Sequence, residues 1–417
     1  MKRLSSIFIL ITAAVSLYAQ NFHKEISGYT GIDYSYNHIQ IPGGDSTKMN
    51  AFFQKFDSLF IFGTGKINIL HIGGSHVQAD FFSNQVRRNL DAINRDFKPS
   101  RGYIFPFSIA KTNNPTNYTV EYKGKWSSAR NVQKNREIPL GVGGVAVYTN
   151  DPAAEITIRL NVDAFDHRWD FDGLKLIGYV EDNSMGVKPV LIYNDSTYIE
   201  AEQDAASKTY LFSLPGLTDS FTIRFLQEEF IPHTFILNGF IPQKDEEGIV
   251  YHAIGVNGAT VNSYLNSENF EDELKLISPD LVIFAIGIND ASGAGFTEVA
   301  FIANYNLLIE KIKRVSPGCA FIFITNNDSF RRISRRKYAV NRNGLIAQKA
   351  FYRLAEQHQG GVWDFFSLMG GLSSMQKWEK AGLAKMDKIH FTKEGYVLIG
   401  NLFYNALMNY YLFNDID

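Results

Sequence analysis

The chain alternates between two kinds of hydrophobic pattern. Residues 46 to 60 place Phe52, Phe53, Phe56 and Leu59 at helical spacing behind Ser46, a residue suited to capping. The short apolar run Ile67 to Ile72 stops at Gly73-Gly74 and reads as a buried strand. From Asp80 to Ile93, the positions Phe82, Val86, Leu90 and Ile93 recur 4, 4 and 3 apart, which predicts an amphipathic helix and completes a first βα unit.

Beyond about Pro99 the helical period disappears. Ile156, Ile158, Leu160 and Val162 alternate with polar residues, as do Phe221, Ile223 and Phe225. Period-two segments separated by Gly, Asn, Asp and Pro predict a β-sandwich inserted over residues 99–247. The βα alternation then resumes. Strands are expected at 249–254, 281–286, 320–325 and 362–366, with helices at 263–277, 297–315, 341–357 and 392–411. Strands interleaved with helices argue for a parallel sheet covered on both faces, built from residues 20–98 and 248–417.

Length and composition narrow the reading further. At 417 residues the chain is long for one core, in keeping with two domains. A formal net charge of −2 gives no reason to expect a nucleic-acid partner. Lys2 and Arg3, followed by the apolar run Ile7 to Leu17 and by Ala19, predict a signal peptide over residues 1–19. Its removal takes away two positive charges, and no later stretch is long enough to insert in a membrane. The single cysteine, Cys319, permits no internal disulfide and no multi-thiolate metal site. An exported protein without disulfides suits a bacterial periplasm or cell surface.

Four short blocks carry the candidate chemistry. Gly73-Gly74-Ser75-His76, Gly255-Val256-Asn257-Gly258 and Gly287-Ile288-Asn289-Asp290 each close a predicted strand. Asp387-Lys388-Ile389-His390 sits on a loop before the last helix. Functional groups in open α/β sheets gather at the carboxyl ends of strands. A serine hydroxyl there, with an Asp-x-x-His pair, supplies a nucleophile, a base and an orienter for the base. Each block alone is more often an ordinary turn; it is the ordered combination that is specific.

This combination resembles the SGNH (GDSL-type) hydrolase superfamily, over roughly residues 60–98 and 248–410. The resemblance implies an α/β, flavodoxin-like three-layer sheet with an inserted all-β sandwich. It assigns Ser75 as nucleophile, His390 as general base and Asp387 as its orienter. The oxyanion hole would comprise the Ser75 and Gly258 N–H groups and the Asn289 side chain, with no metal and no cofactor. Within the superfamily the chain most resembles bacterial peptidoglycan O-acetylesterases, which share a His after the serine, the Gly255 to Ala259 block and a carbohydrate-module-like insertion. The expected partner is therefore an acetylated glycan, peptidoglycan first. Deacetylation of another polysaccharide, acetyl transfer to a sugar, and non-catalytic wall binding are the alternatives. One departure stands out: Gly74 occupies the position where the family usually has Asp.

Other candidates carry weaker signals. The cluster Arg331, Arg332, Arg335, Arg336 and Lys337 could grip an anionic polymer but reads more simply as a solvated face. Trp126, Trp169 and Trp378 are possible sugar-stacking residues, though core packing is the simpler account, and His71 reads as a core histidine.

Overall fold

Five strands that the sequence marks as nearly continuous apolar runs lie side by side in parallel. In a computed structural model describing residues 24, 26, 28–93, 97–162, 169–182, 184–193, 196–228, 232–334 and 337–413, they are Lys66–Gly73, Gly248–Gly255, Leu281–Ala285, Ala320–Ile324 and Gly361–Trp363. Numbered in chain order, the parallel strands run 2-1-3-4-5 across the sheet, the flavodoxin-like arrangement. Both faces are buried. Leu70, Ile72, Val282, Phe284, Phe321 and Phe323 enter one core, and Ile67, Ile69, Leu281, Ile283, Ala320 and Ile322 the other. The helices Thr47–Phe62, Phe81–Asp91 and Lys393–Phe413 cover the second face with Phe52, Phe56, Val86 and Leu402.

The expected sheet needs one correction. A sixth strand, Ile39–Gln40, pairs antiparallel with Gly361–Trp363 at the sheet edge. Two residues are too few to show a period, so no pattern announced it. The expected helix 263–277 is also broken, into Val261–Leu265 and Phe270–Leu274. Asn266 caps the first piece, and the Asn269 N–H donates to Leu140 O of the insertion instead of continuing the helix. The strand expected at 362–366 stops at Trp363, where Asp364 caps the short helix Phe365–Leu368 by accepting from the Ser367 N–H.

The insertion forms two antiparallel sheets. One has six strands, with Phe171–Val180 between Thr209–Thr218 and Phe235–Gln243 at its centre; the other has five, centred on Ser220–Gln227. The alternation seen in sequence is realised as cross-strand pairs: Phe221 faces Ile158 and Ile223 faces Ile156. On the opposite face the Thr157 and Thr222 hydroxyls meet at 2.8 Å. Tyr103, Phe105 and Phe240 of the insertion join the core containing Leu70 and Ile72, so sandwich and α/β sheet are packed together. A buried charge cluster braces this junction: Asp80 accepts from Arg101 at 2.5 Å, from Asn117 at 2.8 Å and from Arg87 at 3.3 Å.

Candidate functional site

Ser75 is lifted from the sheet by the turn that follows Lys66–Gly73, and it opens the short helix Ser75–Gln78. Glycine is required on both strand ends beneath that helix. A Cβ on Gly73 would lie 2.2 Å from Val77 Cγ2, and one on Gly255 would lie 2.3 Å from Gln78 N. The two glycines let the helix sit directly on the strand ends, at the point where the strand order reverses. In open α/β sheets that is where ligands bind.

The last block comes to the same place from 315 residues away. His390 Nε2 lies 2.8 Å from Ser75 Oγ, and His390 Nδ1 lies 2.8 Å from Asp387 Oδ2. Asp387 Oδ1 accepts the N–H groups of Ile389 and His390, both at 3.0 Å. Burial pushes this carboxyl upward, but the hydrogen bonds from the His390 ring and the two N–H groups outweigh it and hold Asp387 well below the usual carboxylate range. An ionised Asp387 fixes the proton on His390 Nδ1 and leaves Nε2 free to accept one from Ser75.

The second and third blocks close the opposite side. Gly258 adopts φ +83°, a conformation glycine takes at little cost. Among the described residues the Ser75 and Gly258 N–H groups donate to no carbonyl. Asn289 donates through Nδ2 to Ala259 O at 2.9 Å, which ties the third block to the second and leaves its other amide hydrogen uncommitted. A Cβ on Gly74 would lie 3.3 Å from Asn289 Nδ2. The absent side chain therefore lets the Asn289 amide lie close against the backbone before Ser75.

Several contacts that shape the site were not visible in the sequence blocks. Gln78 Oε1 accepts the Asn257 N–H at 2.7 Å, and Gln78 Nε2 donates to Thr112 Oγ1 at 3.1 Å and Asn113 O at 2.9 Å. Asn257 Nδ2 in turn reaches Thr112 Oγ1 at 3.0 Å. A segment of the insertion thus fastens the second block. Asp290, raised to about 6 by burial, accepts the Val261 N–H at 3.2 Å and anchors the start of Val261–Leu265. His76 is buried, with its ring 5.3 Å from that of His390 and its Nδ1 2.7 Å from the Tyr396 hydroxyl. Burial, with the neighbouring His390 in support, depresses its pKa to about 3, so this ring is neutral. No local spacing links Gln78 to Asn113 or His76 to Tyr396.

The weaker candidates fall elsewhere. His71 is a core residue hydrogen bonded to the Tyr251 hydroxyl at 2.8 Å. Trp169 and Trp378 are buried, and Trp126 packs edge-on against Phe225. The basic cluster lies on the hairpin Phe330–Ser334 and Lys337–Val340, with Arg335 and Arg336 outside the described residues. The signal peptide expected over residues 1–19 also lies outside them. Among the described residues no helix is long and apolar enough to cross a membrane.

The fold agrees with the comparisons to known proteins. The model of the GDSL-like lipase/acylhydrolase family matches residues 226–398 of the chain. A solved structure of a peptidoglycan O-acetylesterase is similar over 89% of this chain and 99% of that one, with a TM-score of 0.71 at 19% identity. A lipase/acylhydrolase from Enterococcus faecalis shares 23% identity over 40% of this chain and 77% of its own, with a TM-score of 0.31. An acetylxylan esterase from Geobacillus stearothermophilus shares 17% over 38% and 73%, with a TM-score of 0.29. No curated protein matches the sequence.

Proposed function

We propose that the protein is an exported serine esterase that removes O-acetyl groups from a cell-envelope glycan, with peptidoglycan as the first substrate to test. The observation that carries this reading is the continuous chain from Ser75 Oγ through His390 to Asp387, each link 2.8 Å, beside two N–H groups that donate to no carbonyl among the described residues. Ser75 Oγ attacks the acetyl carbonyl while His390 Nε2 takes its proton. The tetrahedral oxyanion is received by the Ser75 and Gly258 N–H groups and the free Asn289 amide hydrogen. As the intermediate collapses, His390 returns the proton to the departing sugar oxygen and an acetyl-enzyme remains. Water, deprotonated by His390, then attacks that ester; acetate leaves and the Ser75 hydroxyl is regenerated.

Support for an acetylated glycan is of a different kind. The likeness to the peptidoglycan O-acetylesterase spans the insertion as well as the α/β sheet. The basic and apolar character of residues 1–19 favours export to the compartment where such a polymer lies. The direct test follows acetate release from O-acetylated peptidoglycan and, separately, from acetylated xylan, in the absence of any sugar acceptor. Release abolished by Ser75→Ala is the expected result, with the wall polymer preferred. Release that persists in Ser75→Ala removes the serine mechanism, and release that requires an acceptor sugar replaces hydrolysis with transfer.

A further inference from the structure

The base and its orienter sit on an outlying loop. Residues 385–390 leave the body of the protein between Ala384 and Phe391, which pair as an antiparallel bridge. Asp387 is exposed and His390 half-buried, so packing alone does little to fix either side chain. Bonds within the loop, from Lys385 N–H to His390 O at 2.8 Å and from Lys388 N–H to Lys385 O at 3.0 Å, shape it without tying it to the sheet. The tie comes from the segment that follows the strand Ala320–Ile324. Asn327 Nδ2 donates to Ile389 O at 3.0 Å, and the Phe330 N–H donates to Lys388 O at 3.1 Å.

These two carbonyls belong to the peptide groups that hold Asp387. In a trans peptide the carbonyl and the N–H point in opposite directions. The Ile389–His390 peptide therefore accepts from Asn327 at one end and donates to Asp387 Oδ1, at 3.0 Å, from the other. The Lys388–Ile389 peptide is pinned in the same way between Phe330 and Asp387 Oδ1. A hydrogen bond accepted at the carbonyl also polarises the peptide and strengthens its N–H as a donor. With Oδ1 fixed by both N–H groups, Oδ2 is left facing His390 Nδ1. Asn327 is itself firmly seated. It is 5% exposed, its Nδ2 also donates to Asp328 O at 2.8 Å, and Asp328 Oδ2 accepts the Met375 N–H at 3.0 Å.

We propose that Asn327 is a positioning residue of the triad, orienting the Asp387 carboxylate through the Ile389–His390 peptide while the Phe330 N–H does the same through the Lys388–Ile389 peptide. The inference rests on the esterase reading above and deepens it: the carboxylate takes its orientation from the end of a strand in the same sheet whose first parallel strand presents Ser75.

The test replaces the amide by a residue of similar volume without a donor, Asn327→Leu, and by the smaller Asn327→Ala, with circular dichroism to establish folding. In the folded variants kcat for 4-nitrophenyl acetate should fall about 3- to 10-fold, the rate equivalent of one neutral hydrogen bond, with KM unchanged. The same substitutions made in Asp387→Ala should cost nothing further, because the group through which Asn327 acts is gone. An unchanged kcat, a change confined to KM, or a loss of equal size in the Asp387→Ala background overturns the proposal. If the wild-type protein hydrolyses neither this ester nor O-acetylated peptidoglycan, the esterase reading fails, and crystal structures of the wild type and the Asn327 variants decide the positioning role. A carboxylate at Asp387 that leaves hydrogen-bond reach of the Ile389 and His390 N–H groups supports it; one that stays in place overturns it.

Discussion

Replacing Asp387 by Asn should damage the enzyme more than replacing it by Ala, although Asn is the closer mimic. The reason lies in how the carboxylate is held. Oδ1 accepts two backbone N–H groups, from Ile389 and His390, so an amide at this position keeps its oxygen there. Its NH2 group then faces His390 Nδ1, which must accept instead of donate. The ring proton moves to Nε2, 2.8 Å from Ser75 Oγ, and the base can no longer take the serine proton. Alanine imposes no tautomer; of the three hydrogen bonds it removes, the one that acts on the ring is the charge-assisted bond to His390 Nδ1, worth about 1.5–3 kcal/mol, or roughly 10- to 10²-fold in rate. Tautomer inversion in a buried triad costs about 10⁴. Here the Asp387 and His390 side chains are 45% and 33% exposed, and water can support some of the productive tautomer. The expected loss for Asp387→Asn is therefore about 10³-fold. The assay is kcat/KM for 4-nitrophenyl acetate at neutral pH, with circular dichroism to establish folding. An Asn variant as active as the Ala variant, or more so, would refute the reasoning.

Asn289→Ala should lower kcat by about 10²- to 10³-fold, the usual effect of one oxyanion donor, with a smaller change in KM; steady-state kinetics showing full kcat would remove Asn289 from the site. A pH effect on stability is expected from Glu273, whose pKa burial raises to about 7 against hydrogen bonds from Asn238 and the Val142 N–H. The folded carboxyl keeps its proton to higher pH than the unfolded one, so its contribution to stability is greatest below about 4.5 and is lost as pH rises through about 7, by roughly 3 kcal/mol. Urea titrations across that window should show a shallower slope for Glu273→Gln, and an identical slope would assign the pH dependence to other groups.

Period and punctuation made much of the fold legible. Nearly continuous apolar runs, three of them ending in glycine, marked the five parallel strands because such strands are buried on both faces, and period two marked the insertion because its strands have one face in the core. The candidate Ser75, Gly258, Asn289, Asp387 and His390 could be named because glycine-rich strand ends and an Asp-x-x-His pair leave short, local traces. Features without a local trace were missed. Ile39–Gln40 is too short for periodicity, and the expected helix 263–277 is broken where Asn269 bonds to the insertion. The clamp from Gln78 to Asn257 and Asn113, and the contact of His76 with Tyr396, join residues far apart in the chain.

The sequence by itself determined most of the segments that become strands and helices, and which side chains could act, since both follow from neighbouring residues and the apolar surface they must bury. Only the tertiary structure decided that a hydroxyl and an imidazole 315 residues apart meet at 2.8 Å, and that Asn327 reaches the Ile389 carbonyl at 3.0 Å. Those distances are set by how the sheet, its covering helices and the sandwich pack together. That packing is a property of the whole chain, which no local pattern encodes.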